Sequence, residues 1–77
     1  MTIHVKYFAS LRERLGRAED CIEPTAAMTA AELWARLNQN MPIPDRLLIA
    51  INTEYASMHT LINDGDEVAF FPPVTGG

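Results

Sequence analysis

Asp64-Gly65-Asp66-Glu67-Val68-Ala69-Phe70-Phe71-Pro72-Pro73-Val74-Thr75-Gly76-Gly77 closes the chain and decides how the rest of it is read. Asn63 to Asp66 has the composition of a tight turn, with Gly65 available where φ must be positive. The turn delivers Glu67 to Phe71 as a last strand, with Val68 and Phe70 on one face and Glu67, Ala69 and Phe71 on the other. Pro72 and Pro73 fix φ and carry no N–H, so pairing stops there and the segment beyond is expected to project in extended polyproline geometry. From Pro72 to Gly77 the chain reaches roughly 20 Å when extended, against an expected radius of gyration of about 11 to 12 Å for the domain. Two successive glycines, lacking Cβ, make the narrowest peptide that can thread a tunnel. A Gly-Gly end alone is also what a frayed terminus carries; the two prolines before it make this one a stiff arm. Residues 1–71 therefore read as one domain and 72–77 as an extended tail.

Upstream, Ile3, Val5 and Tyr7 alternate with His4 and Lys6, the period of a strand with one buried face, and Phe8 falls on the opposite side. Ser10-Leu11-Arg12-Glu13 matches a capping box, so a short helical turn is expected there, with Leu11 and Leu15 on one face and Gly16 closing it. Arg17 to Glu23 is weakly patterned and reads as a strand with Cys21 or Ile22 as its core contact. Thr29-Ala30-Ala31-Glu32 is a second capping box, flanked by Met28 and Leu33 as a hydrophobic staple. It opens the main helix, about ten residues long, with Ala30, Leu33, Trp34 and Leu37 as its apolar stripe. Leu47 to Ile51 is a continuous apolar run, read as a strand buried on both faces, and Asn52-Thr53-Glu54 turns the chain after it. The order strand, strand, helix, strand, final strand predicts an α+β domain: a mixed sheet of four or five strands with one main helix packed on one face.

The composition narrows the chemistry. Of 77 residues 48% are hydrophobic, about 37 side chains, enough for one small core and little else. Ten acidic residues against six basic give a net charge of −4, the wrong sign for a protein that neutralises phosphates, so no nucleic-acid partner is expected. No apolar run approaches the roughly 20 residues that span a bilayer, the start lacks a signal pattern, and Cys21 stands alone. These features predict a cytoplasmic protein with no membrane partner. His4 and His59 have no second ligand at metal spacing, so no metal site is expected. Cys21 has no local sign of activation and reads as a core or edge residue. Asp64, Asp66 and Glu67 lack the spacing of a calcium loop and are explained by the turn. Trp34 reads as core or core margin. No catalytic centre is visible, and the tail is the feature left unexplained.

On these residues the chain resembles the sulfur-carrying small subunits of molybdopterin synthase, within the ubiquitin-like β-grasp group. Tyr7-Phe8-Ala9 with Arg12-Glu13, Ala50-Ile51-Asn52, and above all Asp64 to Gly77 carry the resemblance. Residues 17–44 carry little of it. The resemblance implies that a ubiquitin-activating-type adenylyltransferase joins the Gly77 carboxylate to AMP, using ATP that the chain itself does not bind. A sulfurtransferase system then replaces the adenylate with sulfur, because a carboxylate oxygen leaves poorly and an acyl phosphate does not. The resulting Gly77 thiocarboxylate would serve the large synthase subunit, in a heterotetramer, as sulfur donor to cyclic pyranopterin monophosphate in molybdenum cofactor biosynthesis. The chain would bind no cofactor of its own, and the pocket and its general acids would belong to the partner.

The resemblance also directs attention to contact residues. Pro72, Pro73, Val74, Thr75 and Gly76 would insert, and Gly77 would carry the chemistry. Phe8 and Phe71 lie off the buried phase of strands that neighbour each other in such a sheet, so they either form an exposed docking patch at the root of the arm or finish the core. Tyr55 stands where the family carries a hydrophobic contact residue. Arg12 either positions a partner's carboxylates or the tail, or is simply solvated. Two rivals share the fold and the Gly-Gly end: the sulfur carrier of thiamin thiazole synthesis, against which Phe-Phe-Pro-Pro-Val-Thr argues, and a ubiquitin-like protein modifier.

Overall fold

The computed structural model describes residues 2–23, 26–39 and 41–73. The chain forms β1 (Ile3–Tyr7), α1 (Ala9–Leu15), β2 (Glu19–Ile22), β3 (Met28–Thr29), α2 (Ala30–Leu37), β4 (Leu48–Ile51), β5 (Glu54–Ala56), β6 (Leu61–Ile62) and β7 (Glu67–Phe71). Five of these strands make one mixed sheet in the order β2-β1-β7-β4-β5, and β3 pairs with β6 in a separate ribbon. The first and last strands lie side by side and parallel, with Val5 opposite Val68 and Tyr7 opposite Phe70. The other pairings in the sheet are antiparallel. This is the α+β arrangement that the pattern of strands predicts, and the ubiquitin-like β-grasp that the resemblance implies.

The core lies between the sheet's inner face and α2. Ile3, Val5, Tyr7, Ile49, Val68 and Phe70 from the sheet are buried against Ala30, Leu33 and Trp34 of the helix. Three rings form its centre: Phe70 stacks on Tyr7 with centroids 6.1 Å apart, and Trp34 meets Phe70 edge-on at 5.2 Å and Tyr7 at 6.4 Å. Trp34 Nε1 donates to the Met41 carbonyl at 3.0 Å, so the indole is buried with its one polar group satisfied. The helix starts at the expected capping box: Glu32 N–H donates to Thr29 Oγ1 at 3.2 Å and Thr29 N–H to Glu32 Oε1 at 2.9 Å. These bonds from Thr29 hold the exposed Glu32 carboxyl below its ordinary range. The helix is eight residues long, because Asn38 leaves helical geometry and its N–H closes the end on the Trp34 carbonyl.

Three further expectations are corrected, and one that the sequence leaves open, Cys21 or Ile22, is settled. The Ser10 capping box does not form. Phe8 still belongs to the sheet, its N–H donating to the Phe70 carbonyl at 3.2 Å, and its own carbonyl accepts from Arg12 N–H at 3.3 Å. Helix α1 therefore opens on Phe8, with no side-chain cap, and Ser10 is already inside it. Gly16 does close α1 in the left-handed conformation, φ 74°. In the 19–22 strand the inner contact is Ile22, while Cys21 is exposed at the sheet edge. The Leu47–Ile51 run is one-faced: only Ile49 is fully buried, because the single layer of helix covers one side of the sheet. Finally, β3, β5 and β6 are additional strands, too short to show an apolar period.

At the far end of the sheet from the tail, Asn52 clamps two turns together. It and Thr53 adopt φ of 52° and 70° in the β4–β5 hairpin, a conformation asparagine tolerates. Asn52 Nδ2 donates to Asp66 Oδ1 at 2.9 Å, and its Oδ1 accepts from Glu67 N–H at 3.0 Å. The second Asp66 oxygen accepts from Asn63 N–H at 2.8 Å. Asn52 and the aspartate of the Asp64-Gly65-Asp66 turn thus have a structural reason to be present, fixing where β7 begins.

A polar cluster closes the helical side. The Tyr7 hydroxyl donates to Asp20 Oδ2 at 2.9 Å, and Arg17 Nε donates to the same oxygen at 2.6 Å. Arg17 also donates to the Leu37 carbonyl and to Asn38 Oδ1, and its guanidinium sits 5.2 Å from the Tyr7 ring centroid. Burial, only partly opposed by the Asn38 amide and reinforced by Asp20, pushes the Tyr7 hydroxyl above its ordinary value. A group whose folded value lies above its unfolded one contributes stability below the unfolded value, and that contribution is lost as the pH rises past it. The melting temperature is therefore expected to fall from about pH 10 upward, and Tyr7→Phe to flatten that alkaline slope. Parallel thermal scans of the two proteins in alkaline buffers check it; equal slopes would remove Tyr7 as the cause.

Candidate docking face and tail root

The sheet's outer face is organised by the strand registers. Tyr7 opposite Phe70 puts Phe8 beside Phe71, and Leu48 lies opposite Phe71, so Phe8, Phe71 and Leu48 form a cross-strand row. Phe8 has extended backbone, which turns its side chain to the face opposite Tyr7. One step further from the tail, Glu19, Lys6, Ala69, Ala50 and Tyr55 form a second row. A third row holds Cys21, His4 and Glu67. Large apolar groups thus sit at the end where the chain leaves the sheet, and polar ones at the other.

Phe8 is 46% exposed and Tyr55 79% exposed, far more than such side chains in a core. The Tyr55 and Phe71 rings are in contact across the two rows, centroids 6.1 Å apart, with the small Ala50 and Ala69 in the row of Tyr55. Phe71 is half-buried. The structure therefore brings Phe8, Tyr55 and Phe71 to one face, and Phe8 and Phe71 do not finish the core. Leu48 joins them. Reading 47–51 as buried on both faces hid it, although its phase, opposite to Ile49, was the available signal.

Pro72 and Pro73 follow Phe71 directly and are half-buried at the root of the tail. They form one wall of a groove of about 260 Å³, whose other walls are Ser10, Leu11 and Arg14 of α1 and Pro44, Asp45 and Leu47 before β4. Arg12 is exposed on α1, apart from the groove's lining. Arg14 and Asp45 are charged neighbours of the tail root that the sequence reading missed, since only the fold carries them there. Val74, Thr75, Gly76 and Gly77, the remaining insertion and donor residues, lie outside the described residues.

The other candidates are placed elsewhere. Cys21 Sγ lies 3.5 Å from His4 Nδ1, a cross-strand neighbour relation that sequence separation conceals. His59 is exposed between β5 and β6. Trp34 is core. Among the described residues, no three or more His, Cys, Asp or Glu come together as a metal site, and no helix is long and apolar enough to cross a membrane.

Three comparisons fit this geometry. The model of the ThiS family matches residues 5–77. The chain is 39% identical to the molybdopterin synthase sulfur carrier subunit of Escherichia coli, with 97% of this chain and 99% of that one covered. Among solved structures it is similar to SAMP1 from Haloferax volcanii, with a TM-score of 0.79 and 25% identity over the whole of both chains. It is also similar to a chain in the complex of subunits 1 and 2 of the molybdopterin-converting factor from Helicobacter pylori, with a TM-score of 0.66 and 25% identity over the whole of both chains.

Proposed function

The chain belongs to the ThiS family, and from that premise we propose that it is the sulfur-carrier subunit of a molybdopterin synthase. The observation that carries the proposal is the apolar outer face, Phe8, Phe71, Leu48 and Tyr55, at the end of the sheet where Phe71 leads into Pro72-Pro73, in a sequence that goes on to Gly76-Gly77. A second protein that seats on that face is positioned to receive the tail. The E. coli relative's name and the two-subunit complex from H. pylori support such a partner.

In this reading the division of labour follows from the chemistry. The Gly77 carboxylate must be activated, because its oxygen is a poor leaving group. An adenylyltransferase of the ubiquitin-activating type supplies AMP from ATP, and a sulfurtransferase system displaces the AMP with sulfur to leave a thiocarboxylate. Negative charge spread over oxygen and sulfur keeps that terminus ionised, and the ionised sulfur is the nucleophile. Two such tails in a heterotetramer with the large subunit donate the sulfurs of the dithiolene to cyclic pyranopterin monophosphate, in the cytoplasm. What this chain does is deliver: the rigid sheet fixes the tail root, the prolines stiffen the arm, and the glycines admit it.

Replacing Phe8 and Phe71 together by serine is expected to weaken binding to the large subunit by at least about a hundredfold, since anchors of this kind carry most of an interface's energy. The fold should remain, because both side chains lie outside the core. Calorimetric titration checks it; unchanged affinity would refute the docking face. The likeness to SAMP1 favours a second reading, in which a lysine amine takes the place of sulfur. A ladder of adducts in a cell lysate blot would distinguish that reading from the first.

A further inference from the structure

His4 of β1 and Cys21 of β2 stand opposite each other. The Tyr7 N–H donates to the Ala18 carbonyl, so in this ladder His4 and Cys21 form a pair without backbone bonds between them, the kind whose side chains lie closest. Both residues are exposed, and they line a groove of about 280 Å³ together with Lys6, Glu19 and Glu67. Cys21 Sγ lies 3.5 Å from His4 Nδ1. Two ligands of a tetrahedral zinc ion, sulfur at about 2.3 Å and nitrogen at about 2.0 Å, are themselves roughly 3.5 Å apart. The pair is thus spaced as one edge of a coordination tetrahedron, and thiolate with imidazole is a donor set that suits zinc.

Among the described residues one chain brings no third His, Cys, Asp or Glu to this pair. Strand β2 points to a second copy as the source, because it is an edge of the sheet. By the same alternation the N–H and C=O groups of Glu19 and Cys21 face away from β1, open to another strand.

We propose that two copies of this chain bind one zinc ion through Cys21 and His4 of each, with their β2 strands paired antiparallel about Cys21. In that register the two Cys21 residues are directly opposite on one face, with Cβ atoms roughly 5.5 Å apart, so both sulfurs reach a single ion. Each Cys21 Sγ bonds to zinc as its proton passes to the buffer, each His4 gives the Nδ1 lone pair, and nothing is oxidised or reduced. The register also sets Glu19 of one copy opposite Glu23 of the other, and like charges directly opposite disfavour pairing. The metal-free chain is therefore monomeric, and the ion joins the two. The row of His4 and Cys21 lies at the end of the sheet away from Phe8 and Phe71, so the joined pair keeps both docking faces and both tail roots open. The inference does not depend on the sulfur-carrier reading.

The test is sedimentation of the full chain in a phosphine reductant, with zinc chloride added or chelated, and with cobalt(II) as a spectroscopic probe. A monomer is expected without metal, and a dimer holding one metal ion per two chains with it. Cobalt should give the visible bands of a tetrahedral site and a thiolate charge-transfer band. Cys21→Ser and His4→Ala should each weaken metal-dependent pairing at least about a hundredfold, a ligand mattering no less than the groups that orient it. Both side chains lie outside the core, so unchanged melting of the metal-free variants serves as the folding control. In the dimer the Cys21 N–H should become protected from hydrogen exchange. A dimer that forms without metal, a monomer that binds one ion by itself, no zinc binding, or pairing undiminished in either variant would overturn the proposal.

Discussion

A chain carrying one residue more after Gly77 is expected to lose sulfur transfer by at least about a hundredfold. Its melting temperature should move by less than about 3 °C, as for other surface changes. The added residue shifts the terminal carboxyl by up to roughly 3.8 Å along the thread. It also places a Cβ where the glycines leave none, unless the addition is itself glycine. Activation and transfer both act on one carbonyl carbon held in another protein's site, and a displacement of even 1 Å there costs about two orders of magnitude. No contact among the described residues is touched, so stability serves as the internal control. Product formation with the large subunit and a supplied activating system is the readout, and retained pterin sulfuration in the extended chain would contradict the mechanism.

Trp34→Ala is expected to remove about 3 to 5 kcal/mol of stability. A domain of this length holds only about 4 to 12 kcal/mol in all, so much of the population should unfold near body temperature. Trp34 is 1% exposed, and its loss would leave Tyr7 and Phe70 without their edge contacts and the Met41 carbonyl without its donor. The rings lie where α2 meets the parallel pair β1 and β7, the junction that ties the two ends of the chain together. Loss of the tail root's rigidity should follow, and with it loss of partner binding, although Trp34 is on the opposite side of the sheet from the docking face. Urea unfolding followed by circular dichroism measures it. A cost under about 1.5 kcal/mol would mean that the three-ring cluster is not the centre of the core.

Most of this architecture was legible because its signals are local and redundant. The alternation in 3–7 and 67–71 and the Thr29–Glu32 capping box each have a physical cause that operates within a few residues, and the structure shows each of them. What failed depended on distant partners. Ser10 looks like a cap until the Phe8 N–H is committed to the Phe70 carbonyl, far along the chain. Leu48 looks like core until the sheet proves to be covered on one side. Glu54 to Ala56 has no period to show, since an exposed edge strand obtains its geometry from β4 rather than from its own side chains. The groove at the tail root is the extreme case, because Arg14, Asp45 and Pro73 become neighbours only once the fold exists. The outer patch lies between these extremes: Phe8 and Phe71 announce themselves by being out of phase, while Tyr55 takes its place beside Phe71 through the β4–β5 hairpin.

The central claim is that an otherwise inert domain presents a chemically modified glycine. Its most direct test is the mass of the C-terminal peptide after the chain has been incubated with the adenylating enzyme, ATP and a sulfur source. The account predicts a gain equal to one oxygen-for-sulfur exchange, located at Gly77 and reversed when the large subunit and its pterin substrate are added. A terminal peptide that keeps its unmodified mass, in a reaction where ATP is consumed and sulfur is present, would contradict it.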